Sequence, residues 1–140
     1  MLLDAPAPKL RAYPVATVVA EKFHAMTVLG LGNSRMKDFH DLRIIASRFE
    51  IETDLLARAI AATFERRKTP IPEGVPIALG AEFATDKAKQ GQWAAFLRRN
   101  RLDDNRYSLE ECQAYSLEEC QAAIATLVVP ALKIARGKRQ

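Results

Sequence analysis

Apolar residues recur every three or four positions along most of the chain, the spacing that places them on one face of an α-helix. No run of four or more residues alternates as a half-buried strand would, so the predicted fold class is mainly α. The predicted helices are Pro14 to about Leu29, a Ser34 cap to about Phe49, Thr53 or Asp54 to about Arg67, Thr85 or Asp86 to about Asn100, and a last helix to about Val129, where Pro130 kinks or restarts it.

Proline-rich segments divide this helical pattern. Residues 1–13 contain prolines and short apolar runs and are expected to form an extended lead-in. Residues 68–80 contain three prolines and two glycines, a composition typical of a linker and poorly suited to helix or central strand. The chain is therefore predicted to have one helical segment over 14–67 and another over 81–140.

The second helical segment contains an exact tandem repeat, because YSLEECQA occupies both 107–114 and 115–122. In each copy a serine precedes a glutamate by three residues, which is the capping-box pattern of a helix start. A shift of eight residues rotates a helix by about 80° beyond two turns, so both copies cannot present the same face to one core. Cys120 shares a face with Ile124, Leu127 and Ala131, which makes the first copy the predicted insertion.

Composition and charge narrow the class of protein. The 140 residues are 49% apolar and 27% charged, which suits one folded domain and excludes a disordered tail. Neither a signal peptide nor a run of about 20 apolar residues is evident, so we expect no membrane partner and a cytoplasmic location. The net charge of +4 permits a nucleic-acid partner without requiring one. The two cysteines arise from the repeat, and no metal site is predicted.

Charged residues occupy apolar helix faces at two places. Val15, Val18, Met26 and Leu29 fall within about 40° of Lys22 around the first helix, so this lysine lies at the centre of the apolar stripe. Its ammonium either extends to solvent along its aliphatic stem or meets an anion in a polar site.

The second helix shows a matching feature. Arg35 and Asp38 lie within its apolar sector and Asp41 lies at the edge, whereas Lys37 faces the solvated side. Two neighbouring helices thus direct charge inward. Either the charges form a structural ion network, or they line a site for a phosphate-bearing ligand. His24 and His40 are predicted to lie on the surface, and the basic clusters at 66–68, 98–101 and 136–139 either end helices or contact a nucleic-acid backbone.

The segment YPVATVVAEKFHAMTVLGLGNSRMKDFHDL, residues 13–42, resembles the C-terminal half of the abortive-infection nucleotidyltransferase toxins of AbiEii/AbiGii type. The family's A-E-K helix end matches residues 20–22, and its R-x-K-D-x-x-D-L motif matches residues 35–42. Residues 62–72 and 89–99 are also similar to the family's helical domain. The resemblance covers about residues 9–101, and the last helix more loosely.

This resemblance implies the fold and activity of a polymerase-β-like nucleotidyltransferase, which uses Mg²⁺ to transfer a nucleotide from an NTP to an RNA acceptor such as a tRNA end. It implies catalytic roles for Lys22, Asp38 and Asp41, and nucleotide-binding roles for Lys22, Arg35 and Lys37. A cognate antitoxin is the implied partner.

One departure from the family pattern concerns its N-terminal motifs, a G-S-x-x-D loop and a D-x-D metal-binding pair, which residues 1–13 do not supply. The expectation is a bundle-like C-terminal portion that lacks the α/β catalytic core, is inactive alone and binds neither Mg²⁺ nor NTP tightly. The alternative is a non-catalytic helical module that binds an antitoxin, an RNA or a second copy of itself. Self-association is expected because loss of a partner domain would expose the stripe around Lys22.

Overall fold

A computed structural model describes residues 9–103 and 116–138 of the chain, with side chains over 14–100 and 116–137. The described residues form six α-helices and two short 3-10 helices and contain no strand, which confirms the mainly α class. The helices are α1 (Lys9–Leu29), α2 (Met36–Arg48), α3 (Thr53–Arg66), α4 (Ala81–Thr85), α5 (Lys87–Asp103) and α6 (Leu117–Lys138), and the 3-10 helices are Gly30–Gly32 and Ile77–Leu79.

The core lies where α3 packs against α1 and α6, and α2 also packs against α6. Phenylalanines join these layers, because Phe23 of α1 meets Phe64 of α3 with ring centroids 5.9 Å apart. Phe39 of α2 stacks on Phe83 of α4 at 5.2 Å. All four rings are fully buried, and burial of such side chains is the main stabilising term in a helical fold.

The first helix begins earlier than its sequence indicates. Residues 9–13 were expected to be extended, but α1 begins at Lys9, so that expectation is wrong for them, and residues 1–8 lie outside the described part. Pro14 lacks the amide hydrogen that would reach the carbonyl of Leu10, so the helix forgoes one hydrogen bond and continues. Around Lys22, Met26 is buried whereas Val18 and Leu29 are exposed, so only part of the predicted stripe enters the core.

The proline-rich segment 68–80 packs onto the last helix. Gln121 of α6 is buried and its Nε2 donates to the carbonyls of Ala78 (2.9 Å) and Gly80 (3.1 Å). Arg136 donates to the carbonyl of Pro72 at 3.0 Å. These bonds hold a segment that the sequence identified only as a linker, and they place its 3-10 helix and α4 against the core.

The second copy of the octapeptide starts α6 as its capping box predicts. Ser116 Oγ accepts from the amide of Glu119 at 3.0 Å, and Glu119 Oε1 accepts from the amide of Ser116 at 2.8 Å. Leu117, Cys120 and Ile124 are fully buried, which agrees with the predicted face. The helix continues through Pro130 to Lys138. The prediction that the first copy is an insertion lies outside the described residues.

Two described segments, Pro14–Gly32 and Leu117–Gly137, are long and apolar enough to cross a membrane by length and composition alone. Neither segment is an unbroken apolar run, because the first contains Glu21 and Lys22 and the second contains Glu118 and Glu119. The evidence for a span is weak, because core helices of soluble proteins meet the same criterion and both segments contribute to the core through residues such as Phe23 and Ile124.

Candidate functional site

The lysine of α1 and the aspartates of α2 meet where the two helices pack. Lys22 Nζ lies 2.9 Å from Asp38 Oδ1 and 3.3 Å from Asp41 Oδ2. The Lys22 side chain is 24% exposed and that of Asp38 only 7%. The ammonium therefore does not extend freely into solvent, and instead lies between two carboxylates from the neighbouring helix.

Two further cations, one just before α2 and one in its first turn, complete this group. Arg35 Nε lies 3.0 Å from Asp38 Oδ2, and Lys37 Nζ lies 2.8 Å from Asp41 Oδ2. The structure thus unites all five residues that the sequence singled out, here called the charged cluster: Lys22, Arg35, Lys37, Asp38 and Asp41. Three cations and two anions leave a formal charge of +1, and the Arg35 and Lys37 side chains are 56% and 76% exposed.

The balance of burial and charge keeps Lys22 protonated. Burial alone lowers its pKa, but the hydrogen bond and charge of Asp38, together with those of Asp41, outweigh burial and raise the pKa above its ordinary value. A buried carboxylate such as Asp38 is costly unless its oxygens are satisfied. Here Lys22 and Arg35 each satisfy one of them.

The carboxylates of the charged cluster do not fit a magnesium ion in this arrangement. Both oxygens of Asp38 and one of Asp41 are held by cations. Mg²⁺ requires oxygen ligands directed at the ion, and a site already filled by ammonium and guanidinium groups repels it. Over the described ranges, no group of three or more His, Cys, Asp or Glu side chains is placed to hold a metal.

Glu21, the residue before Lys22, ties α1 to the end of α3. It binds both Arg66 and Arg67, with Arg67 Nε donating to Glu21 Oε1 at 2.9 Å. Burial tends to raise the pKa of Glu21, but Arg67 and Arg66 outweigh it and lower the pKa. The sequence left these arginines as either a helix end or a nucleic-acid contact. It missed their partner because Glu21 lies 45 positions from Arg66 and 46 from Arg67.

Two cavities flank Arg35. The first, the α1 cavity, has a volume of about 450 Å³, and its charged and ionisable lining residues are Glu21, Lys22, His24, Arg35 and Arg67. The second, the α5 cavity, has a volume of about 590 Å³ and is lined by Arg35, Lys37 and Asp38 on one side and by Gln92, Phe96, Arg99 and Asn100 on the other. Both volumes are in the range of small-molecule sites.

The turn before α2 is fixed by residues that the sequence did not indicate. Asn33 is buried, and its Oδ1 accepts from the amide of Arg35 at 2.8 Å, which forms an Asx turn just before the helix. Arg35, and not the predicted Ser34, occupies the N-cap position of α2, and no side chain makes a cap bond there. The buried Lys89 of α5 donates to the carbonyl of Asn33 at 2.8 Å and lies 5.4 Å from the centroid of the Phe83 ring. These contacts set the position from which Arg35 reaches Asp38.

The two histidines are half-buried, so the prediction that they lie on the surface is wrong. His24 Nε2 lies 2.8 Å from Thr69 Oγ1, and the His40 ring lies 5.5 Å from that of Phe96. Burial lowers the pKa of both. Each histidine points away from the apolar face of its own helix. His24 is covered by the end of α3 and His40 by the side of α5, and the periodicity of a single helix cannot predict such contacts with another helix.

The sequence profile of the nucleotidyl transferase AbiEii toxin family, of type IV toxin–antitoxin systems, matches residues 1–122 of the 140. The chain belongs to the AbiEii family. The match includes the whole charged cluster and runs beyond the 9–101 span of the predicted resemblance at both ends. Membership in a type IV toxin–antitoxin family implies an antitoxin partner. Comparison with curated proteins gave no match, and comparison with solved structures gave none.

Proposed function

We propose that the charged cluster and the α1 cavity bind the triphosphate of an NTP within a nucleotidyltransferase site that modifies an RNA acceptor such as a tRNA. One observation carries the proposal. Lys22 comes from α1 and Arg35 from the residue just before α2, and both hold the buried Asp38 and line the α1 cavity. In a member of the AbiEii family, such a pair of cations beside an open cavity suits the negative charge of a nucleoside triphosphate.

The proposal gives each residue a role that follows from its chemistry. The planar guanidinium of Arg35 suits two-point contact with phosphate oxygens, whereas Lys37 lines the α5 cavity and supplies a mobile point charge on that side of Arg35. Lys22 contacts the transferring phosphate as a cation, and its raised pKa means that partial burial does not neutralise it. Asp38 holds Lys22 and Arg35 in place, and Asp41 does the same for Lys37.

Metal binding is assigned outside this cluster. The family's reaction uses Mg²⁺, and the carboxylates of Asp38 and Asp41 are already committed to cations. We therefore propose that this chain alone does not transfer nucleotides, binds NTP weakly, and needs clustered carboxylates from another part of the enzyme.

Radiolabelled transfer tests the proposal directly. Purified protein is incubated with Mg²⁺, each labelled NTP and total tRNA, and label in the RNA is measured. The protein alone is expected to give no incorporation. Mg²⁺-dependent labelling by the protein alone, abolished in Lys22→Ala, would contradict the proposed inactivity.

Weak NTP binding is measured separately by ¹⁵N NMR titration with ATP. Arg35→Gln should reduce the shift changes at the α1 cavity. Arg58→Gln serves as the matched control, because Arg58 is exposed on α3 and lines neither cavity. Equal responses in the two variants would refute the assignment of Arg35.

The second candidate function is a non-catalytic helical module that binds an antitoxin or an RNA. This function is favoured because Asp38 and Asp41 are both ion-paired to cations. The charged cluster then offers positive charge to a partner and no free carboxylate to a metal. RNA binding that persists in Lys22→Ala, with no transfer when a carboxylate-bearing polypeptide of the family is added, would select this module over the enzyme.

Self-association is proposed as a further property, supported by Val18, Val28, Leu29 and Leu31, which expose about half of their surface on α1 and the turn after it. Light scattering after size exclusion tests it. A concentration-dependent mass above 15.6 kDa is expected, and a clean monomer would count against it.

A further inference from the structure

The α5 cavity carries an excess of positive charge on walls that combine polar and apolar side chains. Arg35, Lys37 and Arg99 line it, and among the described residues of its lining Asp38 is the only acidic one. Because both oxygens of Asp38 are held by Lys22 and Arg35, little of its negative charge faces the cavity. Ser34, Gln92 and Asn100 add hydroxyl and amide groups to the same walls.

Arg35 is common to both cavities, lining the α1 cavity with Lys22 and the α5 cavity with Arg99. A transferase must bring donor and acceptor together at one reacting phosphate. A guanidinium between two adjoining cavities can contact an anion on either side, so the arrangement suits a donor in one cavity and an acceptor in the other.

We infer that the α5 cavity holds the phosphodiester backbone of the RNA acceptor, with Arg99 and Lys37 contacting phosphates, while the triphosphate occupies the α1 cavity. This inference rests on the proposed function and assigns its two substrates to opposite sides of Arg35. Phosphate contacts from arginine, lysine, serine and amide side chains dominate affinity for nucleic acid. The lining of the α5 cavity provides each of these groups.

Neighbouring arginines on α5 provide a matched test. Arg98 and Arg99 are both exposed on this helix, but only Arg99 lines the cavity. Binding of a fluorescein-labelled, mixed-sequence single-stranded RNA is followed by anisotropy for the wild type, Arg99→Gln and Arg98→Gln at several salt concentrations. We expect Arg99→Gln to weaken binding about fivefold and to reduce the slope of log affinity against log salt by about 0.7, as for one lost phosphate contact. Arg98→Gln should change the RNA affinity and the salt slope much less.

A second titration separates this inference from the proposed function. Inorganic tripolyphosphate, followed by NMR, should bind the wild type and Arg99→Gln equally, and Arg67→Gln should weaken it without changing RNA affinity. Equal effects of Arg99→Gln and Arg98→Gln on RNA binding would overturn the inference while leaving the proposed function intact. Full displacement of the RNA by polyglutamate at equal charge concentration would also overturn it, in favour of an acidic protein partner. A selective loss of RNA binding in Arg99→Gln, with no tripolyphosphate response at the α1 cavity, would support the RNA surface and refute the proposed nucleotide site.

Discussion

The ion pair between Lys22 and Asp38 should stabilise the fold far more than the neighbouring pair between Lys37 and Asp41. Both pairs have short contacts, 2.9 Å and 2.8 Å. Their surroundings differ, because Lys22 and Asp38 are 24% and 7% exposed whereas Lys37 is 76% exposed. Solvent screens the second pair and leaves the first largely unscreened.

The magnitudes follow from these exposures. A hydrogen bond between charged, mostly buried groups contributes about 1.5–3 kcal/mol, so we expect a coupling energy of about 2 kcal/mol between Lys22 and Asp38. An exposed pair four residues apart on a helix contributes about 0.3–0.5 kcal/mol, which is the expectation for Lys37 and Asp41. Replacement of Lys22 alone should cost slightly more than the coupling, about 2–3 kcal/mol, because Asp38 then retains only Arg35.

Two double-mutant cycles measure this difference. The first combines Lys22→Met with Asp38→Asn, and the second combines Lys37→Met with Asp41→Asn. The free energy of unfolding is taken from urea denaturation at pH 7 followed by circular dichroism. A coupling energy for Lys22 and Asp38 no larger than that for Lys37 and Asp41 would show that the buried cluster is not held as described.

Three further outcomes are expected. Ser116→Ala should lower the free energy of unfolding by about 1 kcal/mol through loss of the capping box, whereas Ser108→Ala and deletion of 107–114 should change the melting temperature little; a large loss on deletion would refute the insertion. Lys89→Met should cost about 1–3 kcal/mol in a urea titration, because a buried carbonyl loses its donor; a neutral result would show that this bond is dispensable. Burial lowers the pKa of His24, so the stability it contributes is present above its ordinary pKa of 6.5 and is lost as pH falls through the lowered value. Urea titrations between pH 7.5 and 5 should show that decline, and His24→Gln should flatten it; an equal decline in the variant would contradict the assignment.

The helical periodicity of the sequence predicted most of the fold. It placed α2, α3 and α5 within a few residues of their observed bounds, and the capping box located the start of α6. It missed α4 and the early start of α1, because a five-residue helix contains too few apolar repeats and Pro14 was interpreted as a first-turn residue. A periodic pattern of apolar residues identifies one helix at a time. It is weakest for a helix as short as α4 and for a helix end near a proline, as in α1.

Sequence also predicted that Lys22, Arg35 and Asp38 face inward. The prediction holds for Asp38 and in part for Lys22, but it is wrong for Arg35, whose side chain is 56% exposed. It could not predict Lys89 or the pairing of Glu21 with Arg67. Lys89 is 6% exposed although the sequence of its helix is largely polar, and its carbonyl partner is 56 positions away along the chain. Contacts of that kind depend on how helices pack, which no pattern within one helix encodes.

The central claim is that the charged cluster binds the triphosphate of an NTP, and a ¹⁵N NMR titration of the wild-type chain with ATP tests it most directly. The account predicts shift changes concentrated at Lys22 and Arg35, a dissociation constant of about 1 mM or weaker, and the same response with and without Mg²⁺. Tight binding that requires Mg²⁺, or shift changes that avoid these two residues, would contradict it.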